Sequence, residues 1–163
     1  MRKTIVPALL ALILALMGCS VQEIPPAGVR VYCMEETVET GRRLVYTRLE
    51  LNEDDSREAC VAAILRAMVL PGSDFSSALP WGIAPTLAFQ GAVVRVEFTA
   101  EFDTLPDTQK SLAVAALSLS LLELPDVNYI YITAGGKPQP PFFDRAISRS
   151  SFITEEDALR YFS

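Results

Sequence analysis

One stretch of the sequence, from Thr104 to Gly136, constrains the fold more than any other. Its first half contains the run Ser111 to Leu124, in which ten of fourteen residues are apolar and most are good helix formers. Pro125 follows at once and disfavours helical geometry, so we expect the helix to end there. The next segment, Val127 to Thr133, is rich in β-branched and aromatic residues and predicts a strand. Because so apolar a helix must be covered on more than one side, we expect a sheet to lie beneath it.

The N-terminus predicts export and attachment to a membrane. Two basic residues precede an apolar segment, Thr4 to Leu16, which spans roughly 20 Å as a helix and is short for crossing a bilayer. This pattern is typical of a secretory signal peptide, here residues 1–18. Gly18 and Cys19 end the segment in a sequence that resembles the lipobox of bacterial lipoproteins, in which the cysteine thiol takes a diacylglycerol. We therefore expect lipid on Cys19 and a protein held at the outer face of the cell membrane. An ordinary signal peptide and a short membrane anchor are the alternatives.

The composition excludes several kinds of chemistry. The 163 residues include no histidine, which removes histidine-based triads, histidine-ligated metals and the usual proton shuttle at neutral pH. The net charge is −6, and it becomes −8 if cleavage removes Arg2 and Lys3, because no acid is lost with them. Such a charge does not suit the backbone of a nucleic acid. We therefore expect no nucleic-acid partner, no metal site and no cofactor.

The rest of the chain supplies further strands and one more helix. Residues 19–28 contain Pro25-Pro26 and predict a short tether, which reaches about 30 Å when extended. Hydrophobic patterning and turn residues then predict five elements, namely strands Val29–Met34 and Arg43–Leu51, a helix Glu58–Leu70, and strands Thr86–Phe89 and Ala92–Phe98. With the helix and strand described first, the order is β-β-α-β-β-α-β. This order predicts an α+β fold in which two helices pack on a mixed or antiparallel sheet.

Both helices have residues suited to capping their first turns. Thr104 with Asp107, and Asp55 with Glu58, have the spacing of a capping box, in which two side chains satisfy two free backbone N–H groups. We therefore expect Thr104 and Asp55 to be the N-caps.

Residues 29–137 resemble the GerMN domain, which is named for sporulation and germination proteins. The resemblance rests on features in a fixed order, namely Leu44-Val45 with Arg48, Leu70-Pro71-Gly72, Leu79-Pro80 with Gly82, the Gly91 hairpin before Val94–Phe98, and Leu124-Pro125-Asp126-Val127 before Tyr129–Ile132. It implies a non-enzymatic domain, related in fold to the ring-forming (ring-building-motif) modules of sporulation channels. It also implies an exported lipoprotein, which the sequence around Cys19 predicts independently.

The C-terminal extension, residues 138–163, lies beyond this resemblance. Three prolines interrupt its start, Phe142-Phe143 are apolar, and Thr154 with Asp157 can begin a short helix, Glu155–Phe162. The extension is either a tail packed across the domain or a separate segment that binds a partner.

The sequence contains no recognisable catalytic motif. Gly135-Gly136-Lys137 is not a phosphate loop, because Tyr131 stands where the motif requires its first glycine and Pro138 where it requires serine or threonine. Cys33 and Cys60 lie within apolar patterns, so we expect both to be buried and reduced, although a disulfide is the alternative in an exported protein. We expect no catalytic residue, and Cys19 is the one site residue that the sequence indicates.

Two functions fit these observations. The first is an assembly or scaffold lipoprotein that acts in sporulation or spore germination, with the membrane, other envelope or sporulation-channel proteins, or a second copy of itself as partners. The second is a ligand-binding accessory lipoprotein of an extracytoplasmic sensing system. The second helix offers a surface for the first function, since Leu112, Ala116, Leu119 and Leu122 can cover the sheet. That arrangement leaves Val114, Leu117, Leu121 and Leu124 either for the other helix or, with Phe142-Phe143, for a partner.

Overall fold

The computed structural model of the chain describes residues 28–37, 41–52, 54–72, 74–80, 82–139 and 146–151. Its strands and helices are β1 (Val29–Thr37), β2 (Gly41–Leu49), α1 (Arg57–Val69), β3 (Thr86–Gln90), β4 (Val93–Phe98), α2 (Asp107–Leu121), β5 (Tyr129–Ala134) and β6 (Lys137–Pro138). Short 3-10 helices lie at Ala100–Thr104 and Arg149–Ser151. The predicted α+β class and the order β-β-α-β-β-α-β are confirmed, and β6 is an additional short strand.

The strands form two sheets. β1 and β2 make an antiparallel hairpin by themselves, and the other strands make a sheet in the order β3-β4-β5-β6. In this second sheet β4 and β5 run parallel, because α2 carries the chain back to the start of the sheet, while the two outer pairs are antiparallel. The predicted mixed sheet is therefore present, and the first hairpin is separate from it.

Helix α2 lies at the centre of the core. Every side chain from Leu112 to Leu117 is buried, and the helix packs on β1 and on α1. The inward-facing residues of β4 and β5 complete the same core, namely Val94, Val96, Phe98, Ile130, Ile132 and Ala134. A helix enclosed in this way needs apolar residues on all sides, which explains why its sequence shows no polar stripe.

The four residues that could have faced a partner belong to this core. Val114, Leu117 and Leu121 are 0% exposed and Leu124 is 4% exposed. The alternative in which these side chains dock another protein is therefore wrong, because the domain itself covers them.

Both predicted N-caps are corrected. Ser56 caps α1, since its Oγ accepts a hydrogen bond from the backbone N–H of Ala59 at 3.2 Å, whereas the Asp55 carboxylate accepts one from the N–H of Asn52. Thr104 ends a 3-10 helix and donates its hydroxyl to the carbonyl of Glu101 at 2.7 Å. Helix α2 begins after Pro106, with no side-chain cap. In both cases the side chain of the predicted residue forms its hydrogen bond within a neighbouring turn and does not cap the helix.

Part of the C-terminal extension is packed on the domain. Ile147 forms an antiparallel bridge with Ile130, with N–H···O distances of 2.9 and 2.8 Å, and it is 1% exposed. Arg149 donates a hydrogen bond to the carbonyl of Leu122 at the end of α2. Phe142-Phe143 and the predicted helix Glu155–Phe162 lie outside the described residues.

Candidate functional site

The predicted lipidation site, Cys19, and the tether up to residue 27 lie outside the described residues. None of the helices in the described part of the chain is both long and apolar enough to cross a bilayer. Within residues 28–37, 41–52, 54–72, 74–80, 82–139 and 146–151, no group of cysteine, aspartate and glutamate side chains could hold a metal ion.

Gly135-Gly136 forms the turn between β5 and β6. Both glycines have positive φ angles, 55° and 75°, which suit a tight two-residue hairpin turn. The N–H of Gly136 donates to the carboxylate of Glu97 at 2.8 Å, and Thr133 also donates to that carboxylate. A carboxylate therefore already occupies the position in which a phosphate-binding turn would hold its anion.

Arg57 joins three segments at one end of the domain. Its guanidinium donates to the carbonyls of Gly91 and Asp126, at 2.7 and 2.9 Å, and forms an ion pair with the Asp126 carboxylate. It also lies over the ring of Phe89, 5.3 Å from the ring centre. Because arginine offers five N–H donors in a planar fork, one side chain can make all of these contacts. Arg57 thus brings the start of α1 to the β3–β4 turn and to the loop after α2.

A groove of about 510 Å³ lies beside Arg57, next to the first described residue, Gly28. It lies between the start of β1, the loop before α1 and the loop after α2, and its lining is Gly28, Val29, Leu51, Asn52, Asp55, Arg57, Cys60, Leu124, Pro125 and Asp126. Its volume falls in the range of about 300–1,000 Å³ that small-molecule sites occupy. The lining combines apolar side chains with a few polar ones, as such sites do.

Cys33 and Cys60 are free thiols with different surroundings. Cys33 is fully buried, and burial, with the nearby charge of Glu35, raises the pKa of its thiol from 9.0 to about 11. Cys60 was expected to be buried and is instead half-buried, at the groove. Burial, followed by the charges of Asp55 and Asp126, raises the pKa of its thiol too. Thiolates are the reactive form, so neither cysteine is activated as a nucleophile.

The β1–β2 hairpin has a cluster of arginine and tyrosine side chains on one face. The guanidinium of Arg30 lies 6.0 Å from the ring centre of Tyr32 and 5.6 Å from that of Tyr46. The same guanidinium forms an ion pair with Glu123 at 2.8 Å, which attaches the hairpin to the end of α2. Tyr46 is 45% exposed, which makes it one of the most exposed large hydrophobic side chains in the described residues.

Two strand edges are closed by groups from elsewhere in the fold. Along the edge of β1 away from β2, the N–H groups of Arg30 and Tyr32 donate to the side chains of Glu123 and Ser120, and Met34 pairs with Ser76. The edge of β5 away from β4 is covered by β6 and Ile147. These contacts supply the backbone partners that a sheet edge otherwise lacks.

The sequence did not indicate the roles of Arg57, Ser120 or Glu123. The partner of Arg57, Asp126, lies 69 residues away, and the partner of Glu123, Arg30, lies 93 residues away. One signal was available, since Gly91 and Leu124-Pro125-Asp126 are features that carry the family resemblance. Two of these residues, Gly91 and Asp126, meet at Arg57.

Comparison with known proteins identifies this fold. The family model described as "Germane: Sporulation and spore germination" matches residues 30–140. The structure of the tandem GerMN domains of the sporulation protein GerM from Bacillus subtilis is similar, with a TM-score of 0.53 and 16% identity over 75% of this chain and 45% of that chain. The first GerMN domain of the same protein is similar with a TM-score of 0.54 and 14% identity, over 75% of this chain and 98% of that chain. A comparison with curated proteins found no match.

At such low identity the two structures establish the fold alone, and this chain spans less than half of the tandem-domain protein. The family model, in contrast, matches more than half of the sequence. Residues 30–140 form a GerMN domain, and the protein therefore belongs to the Germane family of sporulation and spore germination.

Proposed function

We propose that the protein is a non-enzymatic lipoprotein that is anchored through Cys19 to the outer face of the cell membrane and holds other envelope proteins together during sporulation or spore germination. The observation that carries this proposal is the combination of a sporulation and germination domain with a lipobox-like sequence at Cys19. A tether of about nine residues reaches roughly 30 Å, so the domain would work close to the membrane surface.

The side chains of the described domain favour a role in binding over one in catalysis. The thiol pKa values of Cys33 and Cys60 are raised, and a raised pKa disfavours the nucleophilic thiolate. The carboxyl pKa of Glu101 is lowered by hydrogen bonds from the Thr99 side chain and from backbone, and Glu101 is exposed, whereas a general acid at neutral pH needs a raised pKa. The buried polar contacts that we describe, such as that of Ser120 with Tyr32, tie elements of the fold together.

A membrane pull-down tests the assembly role. The tagged protein is cross-linked in sporulating cells of the source organism and purified from membranes, alongside a Cys19→Ala variant. We expect envelope proteins of the sporulation apparatus to be recovered with the lipidated protein and to be depleted with the variant. Recovery of the protein without partners at every stage of sporulation and germination would contradict the role.

The groove beside Arg57 favours a second candidate function, the binding of a small ligand for a sensing system. This function predicts that a small molecule from the medium raises the melting temperature of the purified protein, since a ligand that binds only the folded state stabilises it. A substitution in the groove, Asn52→Trp, would then abolish the increase, whereas an assembly protein would show no such increase with either form.

A further inference from the structure

The groove beside Arg57 lies where the tether enters the domain. Gly28 is the last residue of the tether and also part of the lining of the groove. Its backbone packs against the end of β2, since a Cβ atom there would lie 3.0 Å from the carbonyl oxygen of Leu49, and its φ angle of 135° favours glycine. Consecutive Cα atoms are about 3.8 Å apart, so Ala27 and Pro26 lie within about 8 Å of the Gly28 Cα. The tether therefore starts at the groove.

The last residues of the tether are suited to packing in such a groove. The segment Ile24–Ala27 is wholly apolar. Pro25 and Pro26 have no backbone N–H group, so their burial leaves no donor without a partner. Their fixed φ angles also reduce the conformational entropy that is lost when the segment becomes ordered. The apolar part of the groove lining that this segment would contact is Val29, Leu51, Leu124 and Pro125.

The polar lining complements this segment and limits its length. The guanidinium of Arg57 makes three hydrogen bonds within the described structure and has five N–H donors, so it retains donors for carbonyl groups of the tether. The lining also contains the carboxylates of Asp55 and Asp126, which would repel the carboxylate of Glu23. Charge thus favours a docked segment that begins after Glu23, at Ile24.

We infer that Ile24–Ala27 lie in the groove, so that the groove is filled by the chain's own tether. Covalent attachment at Gly28 selects this occupant, because a short linker gives an effective concentration in the millimolar range. Contacts that would be too weak to hold a free ligand then suffice. A second copy or another protein would first have to displace the tether.

Docking sets how the domain sits at the membrane. With Ile24–Ala27 bound, residues 19–23 remain as the free part of the tether, and they reach about 17 Å instead of roughly 30 Å. The end of the domain that contains Arg57 and the groove then faces the membrane, and the opposite end faces away from it.

This inference deepens the proposed lipoprotein function, since its consequence for orientation rests on lipid at Cys19. The docking itself does not depend on the lipid, so each can fail while the other succeeds. A docked tether also competes with a small ligand for the groove, and a result that supports docking therefore disfavours the second candidate function.

The rate at which Cys60 is alkylated tests the docking, because Cys60 lines the groove and is half-buried. The full-length protein in detergent micelles is treated with iodoacetamide, and the peptide that contains Cys60 is followed by mass spectrometry. In Ile24→Asn the docked segment loses its largest apolar side chain, and we expect Cys60 to react about fivefold faster than in the natural protein. Asparagine is uncharged, so it does not act on the thiol pKa through charge.

The matched control is Val21→Asn, which places the same residue in the tether outside the docked segment. Its Cys60 should react at the natural rate. The fully buried Cys33 reports on unfolding and should stay unreacted in all three proteins.

Four results would overturn the inference. Equal Cys60 rates in all three proteins would show that the tether does not cover the groove. Equal acceleration by both substitutions would remove the assignment to Ile24–Ala27. Acceleration at Cys33 as well as at Cys60 would trace the effect to unfolding. A natural rate that falls as the protein concentration rises would assign the groove to a second copy.

Discussion

At the scale of single residues, the side chain of Arg57 binds parts of the chain that are far apart in sequence, Gly91 and Asp126. Its side chain is 21% exposed and binds two backbone carbonyls and one carboxylate. Lysine has one compact ammonium group and cannot reproduce this planar arrangement. We therefore expect Arg57→Lys to lower the free energy of unfolding by about 1–2 kcal/mol in denaturant titrations.

The matched control is Arg66→Lys, which makes the same chemical change at an exposed position of the same helix. That substitution should change the free energy of unfolding by less than about 0.5 kcal/mol. Equal effects at the two positions would show that the contacts of Arg57 with Asp126 and Gly91 contribute little.

Cys33 predicts a pH dependence of stability. The pKa of its thiol is about 11 in the folded protein against 9.0 ordinarily, so between these values the unfolded chain has lost the proton and the folded chain retains it. The contribution is fully present below pH 9.0 and is lost as the pH rises towards 11, because unfolding then releases a proton. We expect the free energy of unfolding to decrease less steeply over this range in Cys33→Ala than in the natural protein. Identical slopes would contradict the raised pKa.

The sequence predicts burial of Cys33 but not the role of Arg57, for a physical reason. The alternation of residues along β1 shows which face is apolar, and Cys33 lies on it. An arginine at the start of a helix, in contrast, has the same local sequence whether it is solvated or paired. Its role depends on the loop that folding brings near, and no local pattern records that contact.

At the scale of elements, two serines of α2 differ in a way that can be measured. Both Ser118 and Ser120 are 0% exposed. The hydroxyl of Ser120 accepts from the N–H of Tyr32 at 2.9 Å and donates to the carbonyl of Ala116 at 2.7 Å. The hydroxyl of Ser118 has no hydrogen-bond partner in the described structure.

We expect Ser120→Ala to lower the free energy of unfolding by about 1–3 kcal/mol, because it removes the hydroxyl that accepts from the buried N–H of Tyr32. Ser118→Ala should be neutral or should raise that free energy by about 1 kcal/mol, since it removes a polar group whose burial is uncompensated. Thermal and denaturant unfolding of both variants checks this, and the opposite order would contradict the assignment of the α2–β1 contact.

The apolar surface of α2 makes a second prediction at this scale. Leu121 is 0% exposed, so Leu121→Ala should lower the free energy of unfolding by about 2–5 kcal/mol. The control is Leu70→Ala at the end of α1, where the leucine is 67% exposed. Its expected change in the free energy of unfolding is near zero. A small effect at Leu121, with weaker association of the protein, would instead restore a docking role for this surface.

Element type was predictable because patterning and turn residues are local, and all seven elements predicted between Val29 and Thr133 are present. Element ends were less predictable. Helix α2 begins at Asp107 and ends at Leu121, whereas the apolar run extends from Ser111 to Leu124. The reason is that the last apolar residues continue into buried turns, so hydrophobicity persists after helical geometry has ended. The division of the strands into two sheets depends on long-range packing, which local patterns do not specify.

At the scale of the whole molecule, the described domain covers its own core and closes two of its strand edges. Side chains from the end of α2 and from the loop after it close the edge of β1, and β6 and Ile147 close that of β5. An assembly protein needs a binding surface together with a fixed location. The location that we propose depends on Cys19, which lies outside the described residues.

The mass and lipid content of the mature N-terminus therefore test the account most directly. Cells that produce the protein are labelled with a fatty-acid analogue, and the N-terminal peptide of the membrane fraction is analysed by mass spectrometry, with Cys60→Ala as the control for other cysteines. The account predicts a chain that begins at Cys19 and carries diacylglycerol, which is lost in Cys19→Ala and retained in Cys60→Ala. Two buried acyl chains, each methylene contributing about 0.8 kcal/mol, would hold such a protein firmly in the membrane. A mature chain that begins elsewhere, or a Cys19 with a free thiol, would contradict the account.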